Sequence, residues 1–396
     1  MAITDKEKGV WGLDQVYNKI NQGSIWTYTG VLGLWGSGQN NGGQLGQNNR
    51  TAYSSPIQVG SDSPSTWSST AGHFSVMDYA SEPVAAIKTD GTLWTWGGSP
   101  DGSGGRNNNA HVSSPVQIPG TNWHTVNARN GSMGATKTDG TMWVWGLDSD
   151  GQLGQNNKTS YSSPKQIPGT TWGVVHSVGI AFQVTKTDGT LWCWGDGYSG
   201  NLGQGQDGTP SRRSSPVQVP GTWSTHVGAI SATYGQFSTM AIRGDGTLWA
   251  WGSNGAGCFG RNDQVDYSSP KQVGTDTTWK YIAGGKRGYH ATKTDGTAWS
   301  WGDNEAGQLG LSNNTYYSSP VQLPGTNWGR PANYDYWGTW VKTDGTAWAM
   351  GNMTGDKIGL NNTNAAAPGG TLVQIPDDTW VDYQSTRYWS MGIKQT

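Results

Sequence analysis

The ten residues Lys88–Gly97, KTDGTLWTWG, are spelled six times along this chain. The other copies are KTDGTMWVWG at 137–146, KTDGTLWCWG at 186–195, RGDGTLWAWG at 243–252, KTDGTAWSWG at 293–302 and KTDGTAWAMG at 342–351. Their turn glycines stand at 91, 140, 189, 246, 296 and 345, so the steps are 49, 49, 57, 50 and 49 residues. A period of that size confines the chain to a propeller or a solenoid, whose units bury their faces only against one another.

Each unit reads as four strands. A short apolar stretch such as Ala85–Lys88 or Met240–Arg243 leads into an Asp-Gly turn. Both turn residues tolerate positive φ, which favours a tight hairpin. The returning strand carries Trp-x-Trp. A Gly/Asn loop follows, spelled GQLG at 43–46, 151–154 and 307–310, and then a third strand opening at Ser-Ser-Pro. After a Pro-Gly or Gly-rich turn, a fourth strand opens near Trp67, Trp123, Trp172, Trp223, Trp279, Trp328 and Trp380.

That last tryptophan occurs seven times, the intact hairpin only six. The seventh hairpin is expected to be split between the chain ends. GVLGLWG (30–36) reads as its second strand, with Trp35 in the place of Trp96, and MGIK (391–394) as its first, with Lys394 in the place of Lys88. Pairing head with tail closes a ring of sheets and removes open edges. The expected fold is therefore an all-β seven-bladed propeller over 30–396, each phrase forming the inner hairpin of one blade, with residues 1–29 as a short N-terminal extension.

Tryptophan is the main core material. The chain has 24, and 19 are locked to the repeat, twelve on second strands and seven on fourth strands. Trp94 and Trp96 share one side of their strand, Leu93 and Thr95 the other. The small-side positions Val144, Cys193, Ala250, Ser300 and Ala349 let a bulky face meet a small one between blades. Charged residues make up only 13%, against about 25% in an ordinary domain. Net charge is −2 and no basic tract exceeds Arg212–Arg213, which counts against duplex nucleic acid as a partner. No apolar run approaches membrane-spanning length, and MAITDKEKGVWGLDQ lacks the apolar core of a secretory signal. Cys193 and Cys258 occupy non-equivalent repeat positions and read as free thiols.

The Asp-Gly turn, the aromatic with Trp-Gly and the GQLG loop resemble the regulator-of-chromosome-condensation repeat family, over residues 30–396. The resemblance implies a seven-bladed propeller. The family usually places a His-Ser-like pair just before the first strand. The aligned positions here are Pro83, Ser132, Ala181, Ser238, Gly288, Trp337 and Trp389. That departure and the missing basic face weaken the case for nucleotide exchange and chromatin binding. A shorter stretch, KGVWGLDQVYNKINQGSIW, resembles the leader of many tailed-phage virion proteins, which implies attachment to capsid or tail. Within it Leu13, Val16, Tyr17 and Ile20 fall at i, i+3, i+4 and i+7, an apolar stripe on a short helix. With Trp11 they are the candidate docking residues.

Catalysis finds no support. The histidines His73, His111, His124, His176, His226 and His290 show no metal-ligand spacing, and Asp90, Asp139, Asp188, Asp245, Asp295 and Asp344 are turn residues. Asp148-Ser149-Asp150-Gly151 has the opening of a calcium loop without its later ligands. No enzyme, cofactor or metal site is expected. For binding, topology sorts the loops. Asp-Gly and Pro-Gly turns share one face and have little to specialise, whereas the GQLG loops and the fourth-to-first crossovers share the other face and vary. On that face Tyr234, Phe237, Tyr289, Tyr334, Tyr336, Trp337, Tyr388 and Trp389 are the candidate ligand-binding residues, suited to sugar faces or a protein hot spot. The combined expectation is a non-enzymatic phage virion protein, made in the host cytoplasm. Its outward propeller would serve decoration or host-surface glycan or protein recognition, tethered to capsid or tail by its N-terminus. A cellular lectin-like or protein-interaction propeller is the second reading, and nucleotide exchange on a small GTPase the third.

Overall fold

The computed structural model describes residues 32–60, 66–76, 83–206, 212–233, 237–255, 257–352, 370–377 and 379–395, apart from the side chains of Ser177, Val178 and Tyr334. The N-terminal segment 1–29, with Trp11, Leu13, Val16, Tyr17 and Ile20, lies outside them, as does Tyr234. Seven four-stranded antiparallel sheets are present. Blade 1 comprises Phe74–Val76, Pro83–Ile87, Leu93–Gly97 and Val112–Ile118, and blade 2 comprises Trp123–Arg129, Ser132–Lys137, Met142–Gly146 and Tyr161–Ile167. Blades 3 to 6 repeat this plan, with inner strands at Trp172–Val178, Ile230–Ala232, Trp279–Gly284 and Trp328–Tyr334. Blade 7 is composite: Trp380–Ser385 and Trp389–Gln395 from one end of the chain, Leu32–Gly38 and Tyr53–Gln58 from the other.

The phase of the unit differs from the expected one by a strand. Each inner strand, opened by the tryptophan or, in blades 1 and 4, following it, pairs with the apolar strand that comes next, as Trp123–Arg129 does with Ser132–Lys137. It lines the central channel. The Asp-Gly hairpin is thus the middle pair of each blade rather than its inner hairpin, and the Pro-Gly turn is the step between blades. The physical reason is the tip Asn130-Gly131, where both residues have positive φ (48° and 75°) and close a two-residue hairpin. The Ser-Ser-Pro strand is the outer edge, where a residue without an N–H does no harm and discourages further pairing.

Closure occurs between the two ends of the chain as expected, in a corrected register. Trp35 faces Gly392 across Leu32–Gly38 and Trp389–Gln395, and Gln58 on its other side. Trp94 has the same relation to Ala86 and Gln117. Trp35 therefore stands in the place of Trp94, not Trp96, and Ser37 takes the position of Trp96. Gly38 is the true partner of Gly97: their φ angles are 102° and 97°, values closed to L side chains.

The structure explains the repeated phrase residue by residue. In Asp90-Gly91-Thr92 the carboxylate accepts from the Thr92 N–H (2.9 Å) and hydroxyl (2.6 Å). That hydroxyl in turn accepts from Trp94 Nε1 at 2.8 Å. Lys88 lies over the Trp94 and Trp67 rings, at 4.4 and 5.2 Å from their centroids, a cation–π clamp joining the third strand to the segment that leads into the inner one. Lys394 repeats it over Trp35 and Trp380 at 4.3 and 5.2 Å, so the split blade keeps the clamp.

The second tryptophan links blades. Trp96 Nε1 donates to the Gln44 carbonyl of the preceding blade's GQLG loop at 2.8 Å, and Trp145, Trp194, Trp251 and Trp301 do the same to Ser103, Gln152, Asn201 and Cys258. A Cβ on Gly46 would meet Trp96 Nε1 at 3.1 Å, so the loop's last glycine makes room for the indole. Each such ring packs on the small face of its neighbour, as Trp145 does on Ala85, Ile87, Leu93 and Ile118. Two sites break the pattern. Met350 replaces the tryptophan in blade 6, where Trp340 fills the space, and Ser37 replaces it in blade 7, where Tyr383 and Trp337 do.

Candidate functional site

The two faces divide as topology requires. On one, Trp123 N–H donates to the Gly91 carbonyl and Trp172 N–H to that of Gly140, so each Asp-Gly turn touches the next Pro-Gly step. On the other, the tips between inner and second strands meet the GQLG-type loops: Leu147, Asp196, Ser253 and Asp303 donate to the carbonyls of Gly131, Ile180, Phe237 and Arg287. The residue just before each second strand is the tip's outermost position. It is Gly131, Ile180, Phe237, Arg287, Tyr336 and Tyr388 in blades 2 to 7.

Three of the candidate aromatics occupy this rim position and are half-buried: Phe237, Tyr336 and Tyr388. Lys286 Nζ sits 3.8 Å from the Tyr336 ring centroid and also bonds its hydroxyl. Arg387 lies 5.5 Å over Tyr388 and pairs with the buried Asp335 at 3.5 Å. The rim over blades 5 to 7 is thus a band of cations and aromatic rings. Tyr289, Trp337 and Trp389 point the other way and are buried, at 0%, 1% and 0% exposure. As first or second residues of their strands they alternate inward. Tyr289 OH bonds Ser238, Trp337 Nε1 donates to the Thr386 carbonyl at 3.0 Å, and Trp389 packs with Leu34, Leu45 and Trp96. They hold the rim up from beneath. The backbone of Tyr334 ends the blade 6 inner strand.

Sequence reasoning passed over one rim aromatic. Tyr198 is 53% exposed and stands beside Phe237, ring centroids 5.1 Å apart and planes at 61°. The signal was present: the same loop position carries Asn41, Pro100, Ser149, Gly255 and Glu305 in other blades, none aromatic.

The channel between the inner strands encloses about 210 Å³ and is lined by Arg129, His176, Arg330, Asn333 and Gln384 among others. His176 is held neutral: burial first, and then the Arg330 charge, lower its pKa to about 3. Arg330 is itself paired with Asp382. The Asp-Gly face, which the repeat had marked as featureless, carries a depression of about 610 Å³ between Lys280, Lys342, Trp328 and Trp380. Burial lowers His73 to about 4 and His290 to about 3, and raises the thiols of Cys193 and Cys258 to about 12. Both cysteines are free and buried. The turn carboxylates lie below their usual range because the Thr hydroxyl and N–H bond the charged form. Among the described residues no cluster of three or more His, Cys, Asp or Glu is placed to hold a metal, and no helix is long and apolar enough to cross a membrane.

The fold is a seven-bladed β-propeller, and part of the chain carries regulator of chromosome condensation (RCC1) repeats. The RCC1 repeat is matched at residues 139–179, 188–242, 245–288 and 295–329. Prp20p from Saccharomyces cerevisiae has a similar fold at 18% identity and TM-score 0.77, covering 92% of each chain. Its report concerns binding to Gsp1p and histones. The complex of Kap60 with yeast RCC1 (Prp20) matches at 17% identity and TM-score 0.75, over 96% of this chain and 92% of that one. Human WBSCR16 matches at 14% identity and TM-score 0.74, over 92% and 99%. No curated protein sequence matches significantly.

Proposed function

We propose that this propeller is a non-enzymatic recognition module of a phage virion, tethered to capsid or tail by residues 1–29 and displaying its variable rim outward to a host surface. The observation that supports it most is the polarity of the ring. Leu32 pairs with Gln395 at the start of the third strand of blade 7, and Gln395 N–H bonds the Thr379 carbonyl next to the Gly345 turn. Both ends of the propeller thus meet the Asp-Gly face. A leader attached there leaves the opposite rim, with Phe237, Tyr336 and Tyr388, free to engage a partner. The structural relatives whose reports concern complexes with proteins support the coarser reading of a binding module.

The test is quantitative mass spectrometry of density-purified particles against the major capsid protein, with full-length chain and a variant lacking 1–29. The proposal expects a fixed ratio for the full chain and loss of incorporation for the folded, shortened one. Absence of the full chain from particles overturns the virion reading and leaves a cellular binding propeller.

A further inference from the structure

The geometry points to a sugar-binding subsite on the rim between blades 3 and 4, built from Tyr198, Phe237, Asp196 and Arg212 and suited to a neutral or N-acetylated pyranose. This rests on the outward-facing recognition reading above and names the ligand chemistry for one part of that surface.

The two rings form a corner. Tyr198 is the most exposed ring of the pair, at 53%, and its plane meets that of Phe237 at 61° with centroids 5.1 Å apart. A pyranose offers one C–H face to lie on the first ring and an edge to abut the second. A flat nucleobase offers no such match, since two rings at this angle cannot both stack on it.

Backbone strain holds the corner open. Phe237 has φ 50° and Ser199, next to Tyr198, has φ 57°, values that L residues with bulky side chains adopt rarely and at a cost of roughly 1 kcal/mol or more each. The positive φ at the tip recurs in other blades, whereas that of Ser199 has no counterpart at the equivalent loop residue of the other blades described. In blades 2 and 5 the tip residue with positive φ is Gly131 or Arg287, and the Tyr198 position is never aromatic in the other blades described. The Phe237 ring comes to rest over Gly179, where a Cβ would stand 3.7 Å from it. Asn130 Nδ2 fixes that glycine's carbonyl from blade 2 at 2.8 Å.

Polar groups border the corner through the Tyr198 backbone. Asp196 Oδ1 accepts the Tyr198 N–H at 3.3 Å and lies 3.7 Å from Arg212 Nε, while Arg212 also bonds Asp150 at 2.9 Å. Arg212 is half exposed, so its remaining donors reach solvent. Planar carboxylate and guanidinium groups bond vicinal hydroxyls in pairs. The three side chains together carry one negative charge, which opposes sialic or uronic acids and nucleic-acid phosphates and admits uncharged rings.

Saturation-transfer NMR and calorimetry on the full chain, with cellotriose, maltotriose and chitotriose as probes and sialyllactose as the acidic control, decide the matter. The expected result is transfer to ring C–H protons of at least one neutral trisaccharide and none to sialyllactose. Tyr198→Ala and Phe237→Ala should each weaken binding at least tenfold, and Tyr198→Phe by less than threefold, all with melting temperatures near that of the parent. No transfer from any neutral probe at millimolar concentration, or undiminished binding by Tyr198→Ala, overturns the subsite. So does a host protein whose binding needs Tyr198 while no sugar competes for it. If instead the subsite fails and particles still adsorb to cells through this chain, the recognition role stands and only the ligand assignment falls.

Discussion

Asp148 gives the sharpest test of how the loops are built. In blades 4, 5 and 7 the equivalent residue is Asn254, Asn304 or Asn40. Each asparagine accepts a backbone N–H five residues on, and its Nδ2 donates to the carbonyl nine residues on, at 3.0, 2.7 and 3.1 Å. Asp148 keeps the first bond, to Leu153 N–H at 3.1 Å, but it has no amide to donate, and its Oδ2 is buried without a partner. Burial raises its pKa to about 6. The ionised carboxylate therefore opposes folding above pH 6, and the penalty fades as pH falls toward 4, where the folded state binds the extra proton. Asp148→Asn would restore a donor toward the Asn157 carbonyl and remove the charge. One or two recovered hydrogen bonds amount to about 1–2 kcal/mol at pH 7.5, a rise in melting temperature of roughly 1–2 °C for a chain of this size. The assay is thermal unfolding of both proteins from pH 4.5 to 7.5. The buried histidines His73, His176 and His290 have lowered pKa values and weaken both proteins as pH falls, so the difference between variant and parent isolates Asp148. It should be small at pH 4.5 and full at 7.5. A gain that is the same at both ends, or no gain at pH 7.5, refutes the reasoning.

Trp301→Phe keeps most of the buried surface but deletes the bond to the Cys258 carbonyl, and should destabilise by about 1–2 kcal/mol in a urea titration. Ile393, buried at 1% exposure in the composite blade, should lose about 2–4 kcal/mol on truncation to alanine. Deleting 390–396 should abolish the cooperative melt, and an unchanged melt would sink the closure. Cys193 and Cys258, buried with raised pKa values, should not react with a thiol reagent until the chain is denatured.

The repeat made the fold legible because its spacing, turn and loop signals agree. Blade number, composite closure and the sorting of loops onto two faces followed from them. What failed was phase and register. The dipeptide Trp35-Gly36 imitates Trp96-Gly97, yet the glycine that matters is Gly38, identifiable only by its positive φ and its partner Trp389. Strand order slipped because Asn130-Gly131, the hairpin signal that makes Trp123 pair forward, was read as part of a crossover. At the rim, Tyr336-Trp337 and Tyr388-Trp389 look alike on paper. Strand alternation sends the first of each pair to the surface and the second to the core. Tyr198 was missed because it lies in a motif read for its glycines.

Blade 7 also has a consequence for how the molecule is made. Ser37 meets Ser390 across 353 residues of chain. At about 5–20 residues per second, Leu32–Gly38 leaves the ribosome roughly 20–70 s before Trp389–Gln395 exists. Through that interval its hydrogen-bonding edge has no native partner, while six complete sheets form beside it. Trp389–Gln395 is thus the strand that ends the wait, and until it is made the propeller remains an open arc whose unpaired edge lasts for a time set by the clock of translation.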